Sequence, residues 1–212
     1  MVRVANVSGP HLSQLGSPDP RVVALLLHGG REHGPGPMPR FGLAYLRMVP
    51  FARDLARIDG VAVFQLRNRL RGWNEPRLDA VRDARWALDE IGNRFPGVPV
   101  VVIGHSMGGR VAFRVADGPA VTAVCALAPW CEPSDPVQQL AGRAVVIGHG
   151  RLDRVTDPRK TRDYARRAEE VADRVDLRWV DGETHALLRK PRVWRDLVRE
   201  FTHGQLAHSR EG

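Results

Sequence analysis

The sequence predicts an α/β protein: a mostly parallel, doubly wound sheet of about six to seven strands with helices on both faces. Two observations carry this. Short β-branched runs alternate with helical patterns along the chain. Most of those runs are continuously apolar rather than alternating in polarity, as expected of strands covered on both sides.

Taken in order, the strands fall at Val22–Leu27, 61–66, 98–103, 121–128 and 144–147. A further run at 175–180 alternates in polarity and suits a strand near the edge. Between them, helices are expected at 49–58, 76–91, 107–116, 158–172 and 191–201. The segment 76–91 is the clearest: Pro76 suits a first turn, and Leu78, Val81, Leu88 and Ile91 recur at helical spacing. Asp117, Gly118 and Pro119 stop the helix that opens after Ser106. The 212 residues suit a single domain, with a core over about 20–203 and a polar, frayed tail from 204 to 212. Two loops, 29–40 and 128–142, leave from the carboxyl edge of the sheet, where open α/β sheets bind ligands.

Composition narrows the class. With 43% hydrophobic and 26% charged residues the chain reads as globular, and no run approaches the roughly 18 apolar residues of a membrane span. The first twelve residues lack an apolar core followed by a small-residue cleavage site, so a cytoplasmic setting is expected. The net charge of +8 comes almost wholly from arginine, since Lys160 and Lys190 are the only lysines. Arginines alternate with acids along the helices, the pattern of solvated faces, and no nucleic-acid partner is expected. Cys125 lies in an apolar run and Cys131 in a loop; neither a disulfide framework nor a zinc site is implied. No metal or organic cofactor is expected.

The chemistry is concentrated at Gly104-His105-Ser106-Met107-Gly108, placed between a buried strand and a helix. Six serines and 21 glycines in 212 residues would give this G-x-S-x-G spacing by chance roughly 0.06 times. The pattern is a nucleophile elbow, a turn so tight that the positions two before and two after the serine need small side chains. It lifts the serine to the top of the sheet at a helix N-terminus, whose dipole favours developing negative charge.

With His28-Gly29-Gly30 after the earlier strand, the chain from about 22 to 201 resembles the α/β-hydrolase superfamily. The resemblance implies a serine hydrolase whose acid follows the strand at 144–147 and whose base follows the last strand. Asp153, in Gly150-Arg151-Leu152-Asp153-Arg154-Val155, matches the acid position; Asp157 is the alternative, with an equally good reading as an N-cap before Pro158. His185 is the one histidine in the loop that supplies the base, which restores the superfamily order Ser, Asp, His. The resemblance also implies an oxyanion hole from the N–H groups of Gly30 and Met107, with Arg31 as rival to Gly30. His105 is expected to pack or hydrogen-bond locally, and His149 to lie near the site without being the base.

Only residues 129–142 separate two strands where many superfamily members insert a helical cap. No cap domain is therefore expected, and the site should be open, walled by loops. Arg31, Trp73, Trp130 and Tyr45 are the candidate pocket residues, with Met107 beside them, while Trp86 belongs to helix packing. Arg31, Arg67, Arg69, Arg71, Arg151 and Arg154 all fall at or near the carboxyl edge and would favour an anionic substrate unless Glu32, Glu75 and Asp157 neutralise them. The expected activity is cleavage of a carboxylic ester or thioester of a small molecule through an acyl-enzyme on Ser106. The alternatives are acyl transfer or peptide cleavage by the same residues, or a silent scaffold that binds a ligand or partner. An open sheet edge permits a homodimer.

Overall fold

In a computed structural model, which describes residues 9–208, seven strands form one sheet in the order β1-β3-β2-β4-β5-β6-β7. The strands are β1 (His11–Gly16), β2 (Val22–Leu27), β3 (Val61–Arg67), β4 (Val100–His105), β5 (Val121–Leu127), β6 (Ala144–Gly150) and β7 (Arg174–Val180). All neighbours pair in parallel except β1, which runs antiparallel to β3 with His11 opposite Arg67. Among the described residues, the α-helices are α1 (Leu43–Leu55), α2 (Asp79–Arg94), α3 (Met107–Arg114), α4 (Pro158–Ala168) and α5 (Pro191–His208).

The continuous apolar strands are buried on both faces, as their pattern predicts: every residue of β2 and β4 is buried. One core layer packs α2, α3 and α4 against the sheet through Ala84, Ile91, Val111, Phe113 and Tyr164. The other packs α1 and α5 through Met48, Phe51, Leu55, Trp194 and Leu197. Each fully buried aliphatic or aromatic side chain adds about 1.5–3 kcal/mol, so both layers hold the sheet firmly. The alternating run before Val180 is the edge strand β7.

Several expectations need correction. Strand β1 is absent from the sequence reading because HLSQLG offers no β-branched residue and only partial burial. Pro50 lies inside α1 rather than near its start, so this helix begins at Leu43. Pro76 stands outside α2, after a cis peptide bond, and Leu78 takes a left-handed conformation (φ 51°) before the helix opens at Asp79. The tail expected to fray from 204 continues α5 to His208, anchored by buried Leu206; 209–212 lie outside the described residues. Both cysteines are free and buried. Among the described residues, no helix is long and apolar enough to cross a membrane. Between β5 and β6 the chain makes only a loop and a short helical turn, Gln138–Leu140, so there is no cap domain.

Candidate active site

The elbow follows from local sterics. A Cβ on Gly104 would strike the carbonyl of Gly108, and a Cβ on Gly108 would strike the carbonyl oxygens of Leu27 and His28, the latter at 2.7 Å. Only glycine lets β4 turn into α3 this close to the end of β2. Ser106 adopts φ 57° and ψ −119°, a conformation that costs a non-glycine residue on the order of 1–3 kcal/mol and persists because its surroundings enforce it. Its N–H donates to the Leu127 carbonyl, and its own carbonyl accepts from Gly109 and Trp130.

From this perch Ser106 Oγ lies 2.9 Å from His185 Nε2, and His185 Nδ1 lies 2.8 Å from Asp153 Oδ2. Residues separated by 79 and 32 positions therefore form one hydrogen-bonded chain at the carboxyl edge of the sheet. Asp153 Oδ1 accepts from the N–H groups of Val155 and Thr156, and Oδ2 also accepts from the Thr156 hydroxyl at 2.8 Å. Burial alone would raise this carboxyl, but hydrogen bonds from His149, His185 and Val155 outweigh it and hold Asp153 well below the usual carboxylate range. It is an anion at any physiological pH. Asp157 is elsewhere: it caps α4, accepting from the Arg159 N–H at 2.9 Å.

The His185 loop is held by two residues, of which Glu183 is absent from the sequence reading. Glu183 is fully buried and accepts from the N–H groups of Thr184 and Lys190, both at 2.7 Å, and from the Trp194 indole at 3.0 Å. Those bonds overcome burial and keep Glu183 ionised at lower pH than usual. His105 meets the His185 carbonyl through Nε2 at 2.9 Å, and burial depresses its pKa to about 3. The local role expected for His105 is thus a hydrogen bond to the His185 backbone. A lone loop glutamate carries no sequence signal of such a role; its partners become visible only in three dimensions.

The backbone donors separate the two oxyanion candidates. Arg31 N–H donates to the Arg71 carbonyl at 3.0 Å and is occupied. Among the described residues, no hydrogen bond engages the N–H of Gly30 or of Met107. These two residues are packed together, since a Cβ on Gly30 would strike the Met107 thioether, and a Cβ on Gly29 would come within 3.3 Å of Ser106 Cβ.

The pocket expectations fare differently. Trp73 is wholly buried and lines no surface: its ring faces the Arg110 guanidinium at 4.2 Å, and Trp130 flanks the same group at 4.4 Å. The error has a physical cause, for this cation draws both indoles inward, and Asp135 completes the site with a buried ion pair at 2.8 Å. Trp130 is half-buried in this stack and meets Ser106 through its backbone. Tyr45 sits on α1, with its hydroxyl 3.2 Å from Ser13 Oγ and its ring edge-on to His28. Arg31 is exposed, and among the described residues its guanidinium has no ion pair. Of the other edge arginines, Arg69 pairs with Asp83 and Arg151 with Asp181.

A cavity of about 460 Å³ between β6, β7 and α5 lies at the amino ends of the strands, away from Ser106. A groove of about 500 Å³ instead borders His185 itself. Among the described residues no cluster of three or more His, Cys, Asp or Glu side chains is arranged to hold a metal ion.

With this geometry, a model of the alpha/beta hydrolase family matches residues 24–209. The chain belongs to that family. Its solved relatives by shape include a serine α/β-hydrolase without a lid from Xanthomonas campestris, 20% identical with a TM-score of 0.68, covering 92% of this chain and 88% of that one. Est1E from Butyrivibrio proteoclasticus is 15% identical with a TM-score of 0.70, covering 93% and 94%. A monoacylglycerol lipase from Paleococcus ferrophilus is 15% identical with a TM-score of 0.64, covering 95% and 100%. At these identities the likeness establishes the shared hydrolase fold. No curated protein matches in sequence.

Proposed function

We propose that this α/β-hydrolase is a serine hydrolase that cleaves a carboxylic ester or thioester through an acyl-enzyme on Ser106. The observation that carries the reading is the continuous contact from Ser106 Oγ through both ring nitrogens of His185 to Asp153, at 2.9 and 2.8 Å. Distances in this range suit proton transfer. The esterase and lipase among the solved structures of similar shape are consistent with it.

His185 Nε2 takes the hydroxyl proton as Oγ bonds to the substrate carbonyl carbon. Asp153 accepts from Nδ1–H, which fixes the tautomer and stabilises the imidazolium. The carbonyl oxygen becomes an anion facing the Gly30 and Met107 N–H groups, each of which contributes on the order of 2.7–4 kcal/mol to the transition state. The bond to the leaving oxygen or sulfur then breaks as Nε2 returns the proton to it. Water, deprotonated by the same nitrogen, releases the acid and restores Ser106. Nothing in this cycle calls for a cofactor.

A fluorophosphonate probe tests the reading. Stoichiometric labelling of the protein, lost in Ser106→Ala together with hydrolysis of a simple aryl acetate, is the expected result. A correctly folded protein that neither labels nor turns over such an ester is a silent scaffold.

A further inference from the structure

We infer that the groove beside His185 is a leaving-group subsite for an apolar alcohol or thiol that carries a negative charge. The inference rests on the serine-hydrolase reading and adds a substrate class to it.

The groove holds about 500 Å³, enough for an aromatic ring or a short branched chain, and is bordered by His185 together with Leu152, Val155 and Ala186. Leu152 and Val155 stay 49% and 73% exposed on a loop otherwise pinned by the Asp153 carboxylate. Large apolar side chains displayed together beside a reactive histidine mark a surface that a ligand covers. Reaction geometry says which half of the substrate lies there. The carbonyl oxygen must face Gly30 and Met107, whereas the departing oxygen must approach His185 Nε2 to receive its proton. His185 is the member of the Ser106–His185–Asp153 chain that lines the groove, so the departing half is the one placed beside it.

Charge supplies the second half of the argument. Arg154 and Arg189 also line the groove, and among the described residues no acidic side chain does. Among the described residues, the Arg154 guanidinium has no hydrogen bond or ion pair, and that of Arg189 reaches only the Gly182 carbonyl, at 3.4 Å. Neighbouring arginines are neutralised: Arg151 by Asp181 and Arg159 by Asp157. Two unmatched cations around an apolar pocket favour a carboxylate, sulfonate or phosphate on an otherwise hydrophobic leaving group.

The test compares acetate esters of para-cresol and para-hydroxyphenylacetic acid, whose phenols are nearly equally acidic. The anionic ester should show a kcat/KM about tenfold higher at low salt, with the advantage shrinking as ionic strength rises. The double variant Arg154→Ala/Arg189→Ala should abolish that ratio, as each single variant should reduce it, while Arg159→Ala, which removes one cation outside the groove, should keep it. Phenyl hexanoate and the monophenyl ester of adipic acid place the charge on the acyl side, where the double variant should change nothing. Equal rates for the two acetates, a ratio that survives the double variant, or an effect confined to the acyl-side pair would each overturn the inference. Fluorophosphonate labelling of Ser106 is run alongside. If it succeeds while the ratio is absent, this inference alone falls; if it fails, the hydrolase reading falls with it.

Discussion

His149 Nε2 lies 3.2 Å from Asp153 Oδ2, the same oxygen that meets His185 Nδ1 at 2.8 Å. The ring is wholly buried, and its Nδ1 has no partner. The Nε2 edge of the ring faces the carboxylate, and its other nitrogen has no hydrogen-bond partner beside it. Two imidazoles thus share one carboxylate oxygen from opposite elements, His149 at the end of β6 and His185 in the loop after β7. A hydrogen bond to a charged group is worth about 1.5–3 kcal/mol, so His149→Phe should lower kcat/KM about tenfold with KM little changed. The carboxyl should also rise toward its ordinary range. A carboxyl held below its unfolded value stabilises the fold above about pH 4 and loses that effect as pH falls further. The variant should therefore show a shallower loss of stability in acid. Kinetics on an aryl acetate, with urea melts at neutral and acid pH, check both; an unchanged kcat/KM would remove His149 from the relay.

His28 gives a second pH signature. Its Nδ1–H donates to the Gly29 carbonyl at 2.6 Å, and its Nε2 accepts from the Asn68 N–H at 3.2 Å. The Gly29 carbonyl and the Gly30 N–H belong to one trans peptide and point in opposite directions, so gripping the first aims the second. The bond from Asn68 requires the neutral ring, whereas the one to Gly29 would survive protonation. Burial, aided by the nearby Arg67 charge, lowers His28 to about 4 against the bond to Gly29. The unfolded chain takes up the proton first as pH falls, near pH 6.5, so His28 leaves stability whole above that value. Between pH 6.5 and 4 it removes about 3 kcal/mol. His28→Gln should flatten that part of the urea-derived stability curve; the acid sensitivity of buried His105, depressed to about 3, remains in both proteins. Identical curves would show that His28 is not the titrating group.

How much of this was visible in the sequence depends on whether a residue's role is local. The buried strands and the elbow with Ser106 were legible, because apolar runs and a glycine-bracketed serine report sterics within a few residues; Asp153 and His185 were expected only through the resemblance to the α/β-hydrolase superfamily. Strand β1 was not, since HLSQLG becomes a strand only by pairing with β3. Trp73 was misplaced for the same reason: a tryptophan in a loop looks like a pocket wall until Arg110, from another element, is seen beneath it. Glu183 and His149 act through partners from other turns and strands, which spacing does not encode.

The Arg110 site yields a stability prediction. Arg110 and Asp135 are both about 4% exposed, and Asp135 also accepts from Arg114 and from the Glu132 N–H. Asp135→Ala would leave a buried guanidinium between two indoles with no counter-charge. Removing one partner of such a pair costs about 3–5 kcal/mol. The additional Arg110→Met should recover a large part of it by replacing the stranded charge with an apolar chain. Thermal and urea melts of the single and double variants measure this; a double variant no more stable than Asp135→Ala would mean that the ion pair is not the source of the loss.

Gly108 offers the sharpest separation of geometry from chemistry, because no side chain there can touch a substrate. A methyl group on it would meet the Leu27 and His28 carbonyl oxygens, which belong to β2 and its exit and cannot yield without moving Gly29 and Gly30. Overpacking of this kind costs about 1–3 kcal/mol, and a displacement near 1 Å between nucleophile and donors costs about a hundredfold in rate. Gly108→Ala should therefore fold with a lowered Tm, keep the Ser106 hydroxyl, and lose about a hundredfold in kcat. Gly92→Ala, a helix position with open space around it, should lower neither Tm nor kcat. Full activity in Gly108→Ala would mean that the elbow and the His28-Gly29-Gly30 segment can shift together, and that their close packing does not set the rate.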